Sequence, residues 1–420
     1  MKGFLSDKNK SSCFGCEACV QACPKEALMM KEDEEGFRYP VLDENKCIKC
    51  NICRNVCPYE NTQTIHKQDK YVFGGYIKDE NTRFESTSGG AFSAIVDTFC
   101  DENYVIFGAE ADGIYIWHSY ISDKKELEKY RKSKYLQSVM GDSYIQVKKF
   151  LQEEKKVLFS GTPCQIAALK TYLGNTNQDR LLTVEVICEG VPSPLYMRKY
   201  EEYLKEKYDA KIISLDYRYK GRSFWHKYKW DFQVMKIILS RRKMIGGNKK
   251  RKNEIVIEKD RWFNPFWSVW LKHLMSRPSC YECPFAKRER VADISLGDLW
   301  GVHLYCPELY GKNGGSSLAI ANTQKGKEVL VKSQKKMYGH ELNFEEALKY
   351  QSPMRKHIDK NDKRVEFMND LQSEISFKSL NKKWATRPSP KLLYQKYIWG
   401  NRQKIWLWNI RNKMNSRNLE

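Results

Sequence analysis

Between Tyr71 and Ile187 the apolar residues fall into short runs closed by glycine, proline or small polar residues, separated by stretches whose apolar positions recur at helical spacing. Runs of the first kind read as strands, those of the second as helices. Tyr71 to Ile77 reads as a strand entering a domain, preceded by a polar linker from Glu60 to Lys70 in which His66 is expected to be solvated. Ser86-Thr87-Ser88-Gly89-Gly90 forms a loop that feeds a helix from Ala91 to Phe99. Tyr104 to Ala109 predicts the next strand, and a helix is expected around Tyr144 to Leu151, with Ser133-Lys134-Tyr135-Leu136-Gln137-Ser138 between them.

A strand-helix-strand unit follows. Lys156 to Ser160 is a buried strand, Gly161-Thr162-Pro163-Cys164 turns into a helix ending near Leu173, and Leu181 to Ile187 is a second strand delivering Cys188-Glu189-Gly190. Thr162 suits the N-cap and Pro163 the first helical position, where its missing N–H costs nothing. If the strands are parallel, as a right-handed crossover of this length requires, Cys164 and Cys188 emerge at the carboxyl edge of one sheet and should converge. A cysteine at a helix N-terminus has its thiolate stabilised by the amide dipoles, which suits a metal ligand or a reactive nucleophile; two buried structural cysteines are the plainer alternative. The paired glycines Gly89 and Gly90 let a backbone approach a flat ligand closely, with a simple capped turn as the plainer alternative.

Upstream, cysteine spacing carries the chemistry. Cys13-x2-Cys16-x2-Cys19-x3-Cys23-Pro24 is repeated as Cys47-x2-Cys50-x2-Cys53-x3-Cys57-Pro58, with an extended or hairpin segment, Gly36-Phe37-Arg38-Tyr39-Pro40, between the runs. This is the bacterial ferredoxin spacing, in which three cysteines wrap one iron–sulfur cube and the fourth, before proline, reaches across to the other. It assigns Cys13, Cys16, Cys19 and Cys57 to one 4Fe-4S cluster and Cys47, Cys50, Cys53 and Cys23 to its neighbour. Zinc sites use pairs of cysteines or histidines, and no charged stretch followed by an apolar one precedes Cys13, so neither zinc nor a secreted disulfide scaffold is expected there.

Six cysteines remain. Arg277-Pro278-Ser279-Cys280-Tyr281-Glu282-Cys283-Pro284 supplies a further pair, which alone is half a zinc site. With Cys164 and Cys188 it completes a four-thiolate set, and a third 4Fe-4S cluster becomes the economical reading because electrons already have a chain to join. Cys100, on an apolar helix, and Cys306, in a loop, read as structural.

A chain of 420 residues with 41% hydrophobic residues is ordinary soluble material of two or three domains, and no run is long enough to span a bilayer. The formal charge of +21 counts cysteines as neutral; three clusters at about −2 each would lower it by about 6 and leave the surface basic. Such a surface suits an acidic redox partner, an anionic cofactor, anionic lipid or nucleic acid, and charge does not choose among them.

Taken together, Ser88-Gly89-Gly90, Lys134-Tyr135-Leu136-Gln137-Ser138, Ser160-Gly161-Thr162-Pro163-Cys164-Gln165, Cys188-Glu189-Gly190, Arg277 to Cys283, Asp293-Ile294-Ser295-Leu296-Gly297-Asp298-Leu299-Trp300-Gly301 and Asn322-Thr323-Gln324-Lys325-Gly326 resemble a known family. It is the beta-subunit family of the coenzyme F420 (deazaflavin) hydrogenases and dehydrogenases, which also includes 7-hydroxymethyl chlorophyll a reductase. The match runs from about Lys10 to Lys327. The resemblance implies FAD in the central domain, held near Ser88, Gly89, Gly90, Lys134, Gln137, Ser138, Gly161, Thr162 and Asp298, next to a 4Fe-4S cluster. Family members often carry His where this chain has Glu189, so the proton-handling role there does not carry over directly; Glu189 is a candidate acid or base at a strand end, where ligands bind.

The expected fold is α+β and multidomain: a bacterial-type two-cluster 4Fe-4S ferredoxin module (1–62) fused to an α/β flavin domain (70–152 and 153–370) containing the strand-helix-strand unit, with a basic aromatic helical tail (371–420). The expected function is an iron–sulfur flavoprotein oxidoreductase, passing electrons between clusters and FAD and between FAD and a hydride-exchanging small molecule, with a ferredoxin or another oxidoreductase component as partner. An electron-relay protein without a substrate of its own is the alternative. Arg218 and Lys220, near Trp225 and His226, are candidates for substrate or flavin-phosphate contact, or alternate on a strand facing water. A third class is a basic binding protein: Arg241-Arg242-Lys243 and Lys249-Lys250-Arg251-Lys252 flank Gly246-Gly247-Asn248, and Lys382-Lys383-Trp384 precedes Lys391 to Lys413, where Tyr394, Tyr397, Trp399, Trp406 and Trp408 lie among Lys396, Arg402, Lys404 and Arg411. A basic aromatic helix suits a membrane interface, with packing on the protein's own core as the plainer alternative. No nucleic-acid module is recognised, and nucleic acid is not the expected partner. The expected location is the cytoplasm, with the tail at the inner face of the membrane.

Overall fold

The computed structural model describes residues 3–61, 70–220, 234–241, 253–310 and 314–399, together with 403, 406, 407 and 410. His66, Trp225, His226, the basic stretch 242–252 and the tail residues Arg402, Lys404, Trp408, Arg411 and Lys413 lie outside the described residues.

The two cysteine runs flank a hairpin of β1 (Leu28–Glu32) and β2 (Arg38–Leu42), paired antiparallel from Leu28 with Leu42 to Glu32 with Arg38. Downstream, the strands are β3 (Tyr71–Ile77), β4 (Tyr104–Asp112), β5 (Tyr115–Ile121), β6 (Lys156–Gly161), β7 (Leu181–Val186), β8 (Lys211–Asp216), β9 (Val234–Arg241), β10 (Asn253–Asp260), β11 (Ile294–Asp298), β12 (Ser317–Ala321) and β13 (Met337–Glu341). Eight of them form one mixed sheet in the order β13-β3-β12-β11-β7-β6-β4-β5. Its centre, β11-β7-β6-β4, is parallel, and both flanks are antiparallel. Residues 70–152 and 153–347 thus share a single sheet.

Central strands covered on both faces have no solvent side, and β6 and β7 show it: Val157, Leu158, Phe159, Leu181, Leu182 and Val184 are all buried. Two polar residues interrupt β7, and each is matched. Thr183 N and Oγ1 both donate to Asp293 Oδ2, at 2.8 and 2.7 Å. Glu185 is fully buried; it pairs with the Arg290 guanidinium and accepts from Ser295 Oγ at 2.7 Å. Hydrogen-bonded pairing of this kind is what lets a carboxylate sit inside a sheet.

The helix between β6 and β7, Pro163–Leu173, starts as its sequence predicts. Thr162 is the N-cap in extended conformation, Pro163 occupies the first helical position, and Gln165 Oε1 accepts from Thr162 N at 2.9 Å. The parallel strand ends place Thr162, Ile187-Cys188 and Asp298 at one edge of the sheet.

The smaller antiparallel sheet, β10-β9-β8, encloses a second core with Trp267, Trp270 and the helices Pro194–Tyr208, Arg364–Gln372 and Phe377–Trp384. Phe377, Leu380 and Trp384, which sequence grouped with the basic tail, are buried here. Arg218 and Lys220 do not follow the solvated-strand alternative. β8 ends at Asp216, and both side chains are buried, at 4% and 6% exposure, instead of alternating on a strand that faces water.

The cysteine-run domain is joined to the rest by specific contacts. Gln21 Oε1 accepts from Tyr144 N at 2.9 Å, Thr171 Oγ1 donates to Val56 O at 2.7 Å, and Glu35 at the hairpin turn pairs with Arg364. No described helix is long and apolar enough to cross a membrane.

Candidate redox site

The two cysteine runs repeat in backbone as well as in sequence. Gly15 and Lys49 are left-handed at φ 65° and 54°, and Glu17 and Asn51 at 62° and 60°, each pair standing at the same place in its run. The turns aim backbone amides at sulfur: Gly15 N lies 3.4 Å from Cys13 Sγ, Lys49 N 3.4 Å from Cys47 Sγ and Ala27 N 3.3 Å from Cys23 Sγ. Cys16 feels the fields of Cys19, Cys57 and Cys13, whereas Cys53 feels Cys23 and Cys50. The fourth cysteine of each run therefore stands with the opposite run. Cys13, Cys16, Cys19, Cys53 and Cys57 line a small cavity of 30 Å³.

A second cavity, of 110 Å³, is lined by Cys164, Cys188, Cys280 and Cys283 from three separate stretches of chain. Cys164 stands at the start of the helix Pro163–Leu173, Cys188 follows β7, and Cys280 lies in the turn Pro278–Glu282 that precedes Cys283. Burial pushes the Cys164 thiol up to about 11 and that of Cys280 to about 12, so these sulfurs ionise only against a cation. Among the described residues, no three of them lie within 4.8 Å of one another. A single tetrahedral zinc, with Zn–S of about 2.3 Å, needs sulfurs about 3.8 Å apart. The donor set fits a larger body, such as an iron–sulfur cube, better than one zinc ion.

The third of these cavities is larger than the other two, at 550 Å³. Ser88, Gly90, Lys134, Gln137, Ser138, Gly161, Thr162, Glu189 and Asp298 line it; Gly89 does not. A Cβ on Gly89 would lie 2.4 Å from Gly75 O and 2.6 Å from Ser317 N, so this glycine serves the packing of its loop on β3 and β12 rather than a ligand. Gln137, Thr162 and Cys188 to Val191 line both this cavity and the four-cysteine one, forming a common wall.

Several lining groups already have protein partners. Lys134 Nζ donates to the carbonyls of Lys129 and Arg131 at 2.8 and 2.7 Å, and burial pulls it down to about 7. Gln137 Nε2 donates to Phe14 O and Gly15 O at 2.7 and 3.1 Å, which engages both its N–H groups within the protein. Asp298 pairs with Arg218 at 2.9 Å, and the Arg218 guanidinium lies 5.7 Å from the Trp300 ring centre. Lys220 lies outside the cavity lining and donates to Arg83 O, Ser88 O and Gly314 O. Glu189 stands on the rim with its carboxyl raised by desolvation, and His273 Nε2 is 4.0 Å from its Oε1.

His118, His273 and Arg277 were given no role by sequence. His118 is buried in the cavity wall: Nε2 donates to Ser160 O at 2.9 Å, which leaves Nδ1 to accept from Ser138 Oγ at 2.8 Å. Ser138 Oγ in turn accepts from Gln165 Nε2 at 2.9 Å. Cys306, read as structural, meets Glu308 Oε1 at 3.2 Å and His340 Nε2 at 3.3 Å. Cys100 is fully buried beside the helix Ala91–Phe99.

Comparison with known proteins places these features. Residues 154–347 match the family model for the C terminus of the coenzyme F420 hydrogenase/dehydrogenase beta subunit, and residues 12–61 match a 4Fe-4S dicluster domain. Residues 154–347 thus group with the coenzyme F420 hydrogenase/dehydrogenase beta subunits, and residues 12–61 with the 4Fe-4S dicluster domains. The two matches together make the chain an iron–sulfur oxidoreductase with an electron-transfer role, whose N-terminal domain binds 4Fe-4S.

Curated relatives align with short stretches of the chain, 12–24% of it. Ketoisovalerate oxidoreductase subunit VorC of Methanothermobacter marburgensis is 35% identical over 60 residues, 14% of this chain and 76% of VorC. An uncharacterized ferredoxin of Methanocaldococcus jannaschii is 36% identical over 50 residues, 12% of this chain and 64% of its own length. Trichloroethene reductive dehalogenase of Dehalococcoides mccartyi is 30% identical over 122 residues, 24% of this chain and 21% of its own. A chain of the F420-reducing [NiFe] hydrogenase complex from Methanosarcina barkeri aligns with 75% of this chain and 91% of its own, at 15% identity and a TM-score of 0.40.

Proposed function

We propose that this chain passes electrons between the 4Fe-4S clusters of its N-terminal domain and FAD in the 550 Å³ cavity, and between FAD and a hydride-exchanging substrate, the deazaflavin coenzyme or another organic molecule. The observation that carries the reading is the common wall: Cys188 faces both the four-cysteine cavity and the large one. When bound, a flavin exchanges a hydride with an organic substrate and single electrons with iron–sulfur clusters.

In this reading Cys13, Cys16, Cys19 and Cys57 hold one cluster, Cys47, Cys50, Cys53 and Cys23 a second, and Cys164, Cys188, Cys280 and Cys283 a third. The volume of the large cavity is within the range of cofactor sites, about 300–1,000 Å³. Ser88 and Gly90, at the start of the helix Ala91–Phe99, offer a hydroxyl and helix N-terminal amides to an anionic edge. Ser138, Gly161 and Thr162 border the wall toward Cys164, and Lys134 supplies a buried amine beside them. Glu189, its proton held more tightly than an exposed carboxylic acid would hold it, is placed to give or take a proton at the rim.

A redox protein is the partner this reading requires. Cys50 is exposed, and the side chains of Ile48 and Ile52 beside it are exposed at 58% and 38%, which marks that end of the domain as an entry point for electrons. The chain then works in a reducing compartment, the cytoplasm, with exposed Tyr394, Ile398, Trp399, Trp406, Leu407 and Ile410 suiting contact with the inner face of a membrane.

The test is anaerobic purification of the full chain and assay of iron, acid-labile sulfide and released flavin. About twelve irons and one FAD per chain are expected, four irons to each cube. About eight irons and no flavin would overturn the reading, leaving a two-cluster ferredoxin domain fused to a docking domain.

A further inference from the structure

Arg277 is fully buried, yet among the described residues no carboxylate lies within ion-pair distance of it. Its three nitrogens donate to Cys13 O at 2.9 Å, Gln137 Oε1 at 3.2 Å and Arg38 O at 2.9 Å, and Nη2 stands 3.7 Å from Cys13 Sγ. The guanidinium lies 4.4 Å from the Tyr39 ring centre. The same residue lines the four-cysteine cavity, and its carbonyl accepts from Cys280 N at 2.9 Å. Room for it is made by Gly15: a Cβ there would stand 2.8 Å from Nη1.

A buried cation held only by neutral groups is costly unless anions lie near. The anions nearest it on the proposed assignment are the thiolates of two iron–sulfur sites: Cys13, whose Sγ it approaches at 3.7 Å, and Cys280, with which it lines the four-cysteine cavity; the Glu17 carboxylate, whose field it also meets, is paired with Arg38. We propose that Arg277 is a potential-setting residue shared by these two sites: its fixed positive charge raises the reduction potentials of both together and keeps them matched for electron transfer. This rests on the assignment of Cys13 and Cys280 to iron–sulfur clusters made above. Taking up one electron carries a four-thiolate cube from about −2 to about −3, so a nearby cation favours the reduced form. The cluster assigned to Cys47, Cys50, Cys53 and Cys23 stands apart from it: Arg277 bonds to Cys13, Gln137 and Arg38 and lines the four-cysteine cavity, and none of these four cysteines is in that lining.

The experiment is a redox titration of the anaerobic full-length protein followed by electron paramagnetic resonance, in wild type, Arg277→Gln and Arg277→Lys, with iron counted in each. In Arg277→Gln, two of three potentials are expected to fall by about a tenfold change in the one-electron equilibrium, about 59 mV, with the third unmoved. Arg277→Lys should recover at least half of that shift. Full iron with unchanged potentials in Arg277→Gln, or an equal fall in Arg277→Lys, overturns the proposal. If Arg277→Gln loses iron, retention in Arg277→Lys supports a requirement for charge, and loss in both variants shows a purely structural role and overturns it. A wild type holding only eight irons overturns the cluster assignment instead, a result separate from either variant.

Discussion

Glu35 and Arg364, 329 residues apart, form a two-pronged ion pair at the seam between the cysteine-run domain and the C-terminal helices, with Nη1 to Oε1 at 3.0 Å. Arg364 Nη2 also donates to Ser276 O at 3.0 Å, beside Arg277. Removing one partner leaves the other charged and buried. Glu35→Ala should therefore cost about 3–5 kcal/mol, read as a lower midpoint in anaerobic urea unfolding. The double change Glu35→Leu with Arg364→Met should recover most of it; a single variant as stable as wild type would show that the pair does not hold the seam.

His118 gives a pH dependence whose sign follows from its burial. Its folded value is lowered from 6.5 to about 4, so between these values the unfolded chain binds a proton that the folded chain does not. The contribution is fully present above pH 6.5 and is lost as the pH falls toward 4, at up to about 1.4 kcal/mol per pH unit. His118→Asn should flatten stability across that window, measured by urea midpoints at a series of pH values. Parallel curves for the two proteins would refute the assignment.

On the proposed flavin reading, Lys134 links cofactor binding to protons. Burial holds it down to about 7 without a ligand, and a bound phosphate would favour its charged form. FAD affinity should then weaken above that value by up to about tenfold per pH unit. Lys134→Met should bind more weakly at low pH and show no such slope in fluorescence titrations. A slope that survives the substitution would assign the proton elsewhere.

The packing of Trp384 in the second core fixes where a removable tail begins. A deletion from residue 381 would remove Trp384, whose indole N–H donates to Asp370 Oδ2 at 2.7 Å within the second core. Truncation after Arg387 spares that contact. It should leave the visible spectrum and the urea midpoint unchanged while abolishing sedimentation with anionic vesicles. Equal sedimentation of truncated and full-length protein would remove the membrane reading.

Sequence carried the local features of the site well. The cysteine spacing, the Thr162 cap with Pro163 behind it, and the strand ends that bring Cys164 and Cys188 to one cavity all depend on neighbours a few residues away. The features it missed depend on partners far along the chain. His118 finds Ser160, Gln137 finds Phe14 across 123 residues, and Arg277 finds Cys13 across 264. Arg218 and Lys220 alternate like a solvated strand, and only Asp298, Ser88 and Gly314 reveal that both are buried. Gly89 and Gly90 look alike in sequence, yet one packs on strand backbone and the other, at φ 83°, opens a helix.

The order of the large sheet also sets a timetable for synthesis. β3 lies between β12 and β13, so a strand made near residue 71 waits for partners made after residue 316. All eight N-terminal cysteines have been added to the growing chain by residue 57, whereas Cys283 and then β11, the neighbour of β7, come much later. On the proposed assignment of a third cluster, iron–sulfur delivery to the two regions is thereby separated in time: the N-terminal runs are complete on the nascent chain long before Cys280 and Cys283 have been made.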